Sequence, residues 1–336
     1  MTPEVGDGNF TELAVAEVRT VRPPVGPVAG WSLPKPARPP RHTPVGRSMF
    51  ALATYALSKR FGRVRVLDRL DLTVEPGEIY GFLGRNGAGK TTTIQCVMGI
   101  LSPDAGTVEI LGQRTRRPTI RLKRSIGYVS QEQNLYEWMT CRSIGRFASA
   151  FYPSWDRAEY RRLLHVLDLP PRRRVSRLSA GMRRKLGLAL ALAHHPELLV
   201  LDEPTAGLDP LARREFLTMI HQHARAHGRT TFFSSHRIDE VEEFADRVGI
   251  LDRGRLAFEG ELTELRAEVR EVPEDLGDTA RSVGLELVHT ERRRGAPRLR
   301  FRGPPAAWDA LPQERVTLLS LEDLFIALAT HKVVEL

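Results

Sequence analysis

The stretch IYGFLGRNGAGKTTTIQCVMGI, residues 79–100, decides the reading of this chain. A short apolar run at 79–83 leads into Gly84, Arg85, Asn86, Gly87, Ala88, Gly89, Lys90, Thr91 and Thr92, and an apolar segment follows over 94–100. The order is strand, glycine-rich loop, helix. Gly84, Gly89, Lys90 and Thr91 stand at the spacing G-x-x-x-x-G-K-T. Phosphate geometry accounts for that spacing. Glycines let the backbone curl until successive N–H groups point inward at an anion. The helix behind them turns its positive N-terminal end to the same anion. Lys90 adds a full charge on a flexible stem, and Thr91 offers a hydroxyl to Mg2+. A glycine-rich turn that binds nothing has no reason to sit between a strand and a helix.

Composition narrows the rest. The 336 residues, 41% hydrophobic and 27% charged, suffice for about two domains with a sizeable core. No run approaches the roughly 18 consecutive apolar residues of a bilayer span. The first 48 residues lack the apolar centre of a signal peptide. Cys96 and Cys141 form no metal motif and suit a reducing compartment. The net charge is +9. Basic clusters at 172–174, 183–185 and 292–294 lie in different segments, with no aromatic residues interleaved. A solvated surface is the preferred reading, acidic lipid headgroups come next, and no specific nucleic acid is expected.

Residues 1–48 hold nine of the 23 prolines and little hydrophobic periodicity, which predicts a disordered leader. Met49, just before the first strand, is a candidate natural start. Strands are predicted over 50–56, 70–74, 79–83, 107–111, 126–129, 198–201, 230–233 and 248–251, with a turn at 59–62. Helices are predicted over 142–151, 157–167, 211–226 and 238–245. Strand signals fade from about 138 to 171, which marks a helical insert. The alternation around it predicts an α/β domain with a mainly parallel sheet flanked by helices. Past residue 261 the signals weaken. A hairpin over 285–288 and 299–301 and a helix over 321–329, with Ser320 at its N-cap, predict a small α+β appendix.

The second chemical element is Asp202-Glu203 at a strand end. A carboxylate at the tip of a strand beside the phosphate loop is placed to bind Mg2+, and the next one to orient or activate an attacking water. The plainer alternative is a pair of solvated acids.

With four further stretches, the chain resembles the ATP-binding subunits of ABC transporters over about 50–261. Leu178-Ser179-Ala180-Gly181-Met182 stands where the family carries LSGGQ. Ala206-Gly207-Leu208-Asp209 follows Asp202-Glu203-Pro204-Thr205 as the D-loop does. His236, in Ser234-Ser235-His236, resembles the switch histidine. Gln131, after a strand and before the helical insert, resembles the Q-loop glutamine. Ala180 and Met182 depart from the signature, while Ser179 and Gly181 keep it. Met182, Leu186, Ala189, Leu190 and Ala193 recur at helical spacing behind it.

The resemblance implies a P-loop NTPase core of ABC type with a helical insert at about 132–180, an antiparallel β subdomain and the C-terminal appendix. The ATPase domain would span 49–264 and the accessory region 265–336. It implies ATP and Mg2+ as ligands. Two such domains would sandwich two ATP molecules, each between the 84–92 loop of one subunit and Ser179 and Gly181 of the other. Phe61 would stack on adenine, unless it is merely a buried loop aromatic. Lys90 and the loop amides would hold phosphate. Thr91, Gln131 and Asp202 would complete the Mg2+ environment. Glu203 would be the catalytic base, His236 would contact the γ-phosphate, and Asp209 would act across the dimer.

The implied partners are a separate polytopic transmembrane permease, docked at the helical insert near Gln131, and a second ATP-binding subunit in a homodimer or heterodimer. The implied location is the cytoplasmic face of the cell membrane. YVSQEQNLY at 128–136, FYPSWD at 151–156 and SLEDLF at 320–325 resemble bacterial drug- and peptide-antibiotic-efflux ATPases, which points to an ABC-2-type exporter of drugs, peptide antibiotics or lipid-like compounds. The alternative is a soluble ABC-fold ATPase acting on ribosomes or DNA. The ribosomal kind usually carries two cassettes, and the chromosomal kind needs a long coiled coil for which Lys90 and Asp202 stand too close in sequence. A non-hydrolysing regulatory subunit is disfavoured by Lys90, Asp202, Glu203 and His236.

Overall fold

The computed structural model describes residues 50–293 and 296–329. The expectations for 1–48 and for Met49 lie outside the described residues.

The chain opens with β1 (Leu52–Phe61) and β2 (Val64–Val74), then β3 (Ile79–Gly84) and α1 (Lys90–Val97). Next come β4 (Ala105–Ile110), β5 (Gln113–Thr115), α2 (Ile120–Lys123) and β6 (Ile126–Val129). The insert holds α3 (Cys141–Ala148) and α4 (Arg157–Val166), followed by α5 (Ala180–Leu192). Then β7 (Leu198–Asp202), α6 (Pro210–His227), β8 (Thr230–Ser235), α7 (Ile238–Phe244), β9 (Arg247–Asp252) and β10 (Arg255–Glu261) alternate. The C-terminal part is α8 (Leu262–Glu268), β11 (Val269–Pro273), α9 (Gly277–Ser282), β12 (Glu286–Arg293), β13 (Ala296–Arg302), α10 (Pro305–Trp308), β14 (Thr317–Leu318) and α11 (Leu321–Ala329).

Three sheets result. The central one runs β10-β9-β3-β8-β7-β6, parallel except for β10. β3, β7 and β8 are buried at every position, which is why they read as unbroken apolar runs rather than as alternation. An antiparallel sheet, β2-β1-β4-β5, carries the expected β subdomain, and a second, β12-β13-β11-β14, forms the appendix. Leu83 pairs with Ser235 and Asp202 with Ser234, so β3, β7 and β8 end at one edge of the central sheet. Ligands bind at that carboxyl edge in open α/β sheets.

Two expectations need correction. The first strand reaches Phe61 rather than stopping near 56, and residues 59–61 are not a turn. Pairing of Arg60 with Arg65 and Phe61 with Val64 extends the hairpin, and only Gly62 (φ 58°) and Arg63 are left to turn it. Strand β10 is absent from the sequence reading. It returns antiparallel to β9 through Arg253 and Gly254, both at positive φ (45° and 80°), the geometry of a tight hairpin.

In the helical insert, Gly145 of α3 lets the Tyr160 ring of α4 pack against the helix backbone. The Tyr160 hydroxyl donates to the Cys141 carbonyl at 2.6 Å. A Cβ at Gly145 would lie 2.0 Å from Tyr160 Cε1. Gly145→Ala is therefore expected to destabilise the protein. Overpacking costs about 1–3 kcal/mol, against a helix-propensity gain of at most about 1 kcal/mol. A lowered thermal midpoint checks this, and a raised one would refute the packing account.

The appendix is built around Arg300 of β13, whose side chain is fully buried. It meets Glu271 (3.3 Å), Glu291 (2.5 Å) and Asp323 (2.7 Å), with Asp323 in the first turn of α11. Leu321, Leu324, Phe325, Ala327 and Leu328 form the buried stripe of α11, which packs on α7, α8, β9 and β10.

Candidate functional site

The site begins where β3 gives way to α1. Gly89 caps α1 at φ 114°, a conformation only glycine adopts without strain. A Cβ there would also meet Leu67 Cδ2 at 2.8 Å and Val66 O at 3.0 Å. The first turn of α1 holds no acidic residue and its N-cap no side chain, so the helix itself leaves its positive end open to an anion, and the carboxylates near it come from the end of β7.

Lys90 is 5% exposed. Its ammonium donates to the Gly84 carbonyl at 2.7 Å and the Arg85 carbonyl at 3.3 Å, and lies 3.1 Å from Glu203 Oε1. Asp202 Oδ1 accepts from Thr91 Oγ1 at 3.2 Å and from Ser234 Oγ at 2.8 Å. Burial pushes the Asp202 carboxyl above the usual range, and the Ser234 and Thr91 hydroxyls oppose that shift. Asp202 and Glu203 are thus buried groups, not solvated acids.

Glu203 stands just past the end of β7 at φ 46°, in the left-handed region, with its amide donating to Ser234 Oγ at 2.9 Å. His236 Nδ1 lies 2.6 Å from Glu203 Oε2. A carboxylate only accepts, so Nδ1 carries the proton and donates. Lys90, Glu203 and His236 form one chain of contacts, and Ser234 ties it to Asp202 and Thr91.

Asp202 Oδ2 is buried with no hydrogen-bond partner among the described residues. An orphaned carboxylate oxygen beside a threonine hydroxyl is a pair of hard oxygens that fits Mg2+. That ion takes one or two carboxylates and fills its remaining positions with water and phosphate. No group of three acidic, His or Cys side chains that would form an all-protein cage occurs among the described residues.

The other expected residues lie apart from this cluster. Gln131 is exposed just beyond β6, whose Val129 pairs with Leu201, one strand away from Asp202. Phe61 is exposed at the tip of β1, with Lys59 Nζ 5.6 Å from its ring centre, so it is not a buried loop aromatic. Ser179 accepts from the Met182 amide at 3.2 Å and caps α5, and its own hydrogen bonds stay at that helix start. Gly181 follows within α5. Asp209 accepts from the Ala212 amide at 2.9 Å and caps α6. Asn86 and Thr92 belong to the loop and to α1 respectively.

Two residues escaped the sequence reading. Glu240, buried in the first turn of α7, accepts from Thr205 Oγ1 and Ser235 Oγ, both at 2.7 Å. It ties the segment after Glu203 to the segment before His236. Gln133 donates to Ser130 O and lies against Gly187 of α5, where a Cβ would sit 2.2 Å from its Oε1. A glycine in mid-helix was the available signal for that close approach.

A protein-family profile described as "ABC transporter" matches residues 67–206. The bacitracin transport ATP-binding protein BcrA of Bacillus licheniformis is 36% identical over 241 residues, 71% of this chain and 79% of the relative. The daunorubicin resistance ATP-binding protein DrrA3 of Streptomyces coeruleorubidus is 37% identical over 223 residues, 65% of this chain and 70% of the relative. A solved structure described as the ATP binding subunit of an ABC transporter superposes with a TM-score of 0.59 at 31% identity, covering 64% of this chain and 92% of that one.

Proposed function

The chain belongs to the ATP-binding subunits of ABC transporters, and from that premise we propose that it powers a bacterial ABC-2-type exporter of drugs, peptide antibiotics or lipid-like compounds. As a member of that family it binds and hydrolyses ATP, dimerises and pairs with a transmembrane permease. BcrA is named for bacitracin transport and DrrA3 for daunorubicin resistance, so the ribosome- or DNA-directed alternative gains no support from them. No helix among the described residues is long and apolar enough to cross a membrane, which suits a peripheral subunit. In this reading residues 49–264 are the ATPase domain, 265–336 the accessory region, and the docking face is cytoplasmic.

One observation carries the chemistry: Lys90, Thr91, Asp202, Glu203, Ser234 and His236 meet at the carboxyl edge of the central sheet. Lys90 and the amides of the 84–92 loop hold the phosphates. Thr91 and Asp202 would hold Mg2+, with Gln131, one strand away, completing its environment, and the ion would neutralise phosphate charge. Glu203 accepts a proton from the attacking water, and His236, whose Nδ1 donates to Glu203, leaves its other ring nitrogen for the γ-phosphate. Phe61 supplies a face for adenine. Ser179 and Gly181, with no role at their own subunit's loop, serve the ATP held by the second subunit, and Asp209 lies across that same junction. Two helix N-termini, α1 of one subunit and α5 of the other, then face one γ-phosphate, and its removal releases the pair.

The permease-docking face is the exposed aromatic patch of the helical insert, which begins just after Gln131 in sequence. Tyr136 lies 6.2 Å from Trp138 and 5.3 Å from Phe147, and Phe147 lies 5.2 Å from Phe151, between ring centres. All four are exposed. A contiguous apolar patch on a charged surface marks a binding site. Affinity capture of the tagged protein from detergent-solubilised native membranes tests the reading. A stoichiometric polytopic protein is expected. A soluble pool carrying ribosomes or DNA would overturn the transporter assignment. Trp138→Ser with Phe147→Ser is expected to abolish that capture and leave basal ATP turnover within about twofold, because aromatic anchors dominate interface energy.

A further inference from the structure

In sequence the basic clusters look scattered, yet the fold gives one of them a shape. Arg172, Arg173, Arg174 and Arg177 line, with Pro170, a concavity of about 580 Å3. All four are exposed. Many surface arginines of this protein rest on carboxylates, as Arg65 does on Asp68 and Arg315 on Asp275, each at 2.8 Å. Among the described residues, these four form no ion pair. Four like charges on residues that line one hollow repel one another, and the natural complement is a compact anion with several oxygens.

The loop is also held in place. Val175 N donates to Met139 O at 2.9 Å and Ser176 N to Glu137 O at 3.1 Å, while Cys141 N donates to Arg173 O at 3.1 Å and Arg142 N to Pro171 O at 2.9 Å. These bonds fix the arginines along the segment that carries Trp138, which is 69% exposed, and Tyr136 just before it. The arginines therefore adjoin the patch that docks the membrane-embedded partner, and acidic lipid phosphates surrounding such a partner attract basic segments within about a Debye length.

We propose that the hollow formed by Arg172, Arg173, Arg174 and Arg177 binds the phosphate of acidic phospholipid headgroups. Its orientation toward the bilayer rests on the permease-docking reading. With the aromatic patch seated on a membrane-embedded partner, the adjoining arginines reach the lipids around it. The contact would help hold the subunit at the membrane through cycles in which the dimer loosens.

Vesicle flotation of the full-length protein, without any permease, tests this independently of the transporter assignment. Wild-type protein is expected to float with phosphatidylcholine vesicles that contain cardiolipin, not with phosphatidylcholine alone, and binding should fall as salt rises. Replacing all four arginines by Gln should weaken that binding on the order of a thousandfold. ATP turnover and the melting midpoint should stay at wild-type values. The same charge removed at the exposed Arg63, Arg116, Arg117 and Arg121 should change binding several-fold less. Equal losses in the two variants would reduce the effect to net charge and overturn the site. The pair Arg172→Gln and Arg177→Gln gives the same test should the fourfold variant fail to fold. Wild-type protein that ignores cardiolipin vesicles overturns the proposal in either of two ways. Tight binding of inorganic phosphate would assign the hollow to a soluble anion. Loss of permease capture in the fourfold variant would assign it to an acidic protein surface.

Discussion

Glu203→Gln is expected to lower ATP turnover about 10²–10⁴-fold, the range for loss of a positioned general base, while ATP binding is retained. The substitution keeps the shape of the side chain and removes its capacity to take a proton. Its position is fixed by the backbone: Glu203 stands at φ 46° with its amide on Ser234 Oγ at 2.9 Å, so Gln should occupy the same place. The carboxylate also sits 3.1 Å from Lys90 Nζ. With Gln, Lys90 loses its buried counter-charge and meets the phosphates without first giving up an ion pair. Affinity for ATP should therefore hold or rise as turnover collapses. Single-turnover kinetics beside equilibrium nucleotide binding separates the two effects. Unchanged turnover would remove Glu203 from the chemistry.

Lys90→Ala is expected to weaken ATP binding about 10- to 100-fold, because a hydrogen bond to a charged group contributes about 1.5–3 kcal/mol. It should also lower the melting midpoint of the nucleotide-free protein, since removing one partner of a buried pair strands the other. His236 Nδ1 remains on Glu203 and limits that second loss. Lys90→Arg should not rescue binding. The ammonium is enclosed by the Gly84 and Arg85 carbonyls at 2.7 and 3.3 Å, and a planar guanidinium is too large for that space. ATP-dependent shifts in melting temperature measure both effects in one titration. A variant that binds ATP like the wild type would mean that the loop amides suffice.

The residues that were legible in the sequence are those whose partners lie close in the chain or whose pattern is dense. The 84–92 loop announces itself because glycine, lysine and threonine are needed together. Strand β7 does so because burial on both faces leaves only apolar side chains before Asp202. Helix α11 shows its apolar stripe directly. Strands β10, β11 and β14 were hidden for the opposite reason, while the β12–β13 hairpin was foreseen. β11 is five residues of mixed character and β14 only two, and each is a strand because a distant segment pairs with it. Arg300 illustrates the limit. An arginine in an alternating run reads as a solvated face, and its burial depends on Glu271, Glu291 and Asp323, which come together only in the fold. Glu240 was invisible likewise, since Thr205, one of the hydroxyls it accepts, lies 35 positions away. The cluster of Lys90, Asp202, Glu203 and His236 was anticipated by residue, but the direct contacts of Glu203 with both Lys90 and His236 were not.

The helix α7 that starts just after His236 is not free at its outer face. α11 packs against it, and Asp323 of α11 is locked to Arg300 in the middle of the appendix sheet. Packed interiors transmit displacement with little give. Any swing of α7 that accompanies rearrangement at His236 must drag α11 and the sheet behind it. The C-terminal region is thus a ballast tied, through α11, to the segment that carries the histidine. The stiffness of that tie, rather than any chemistry of its own, would bear on how readily the histidine's segment shifts.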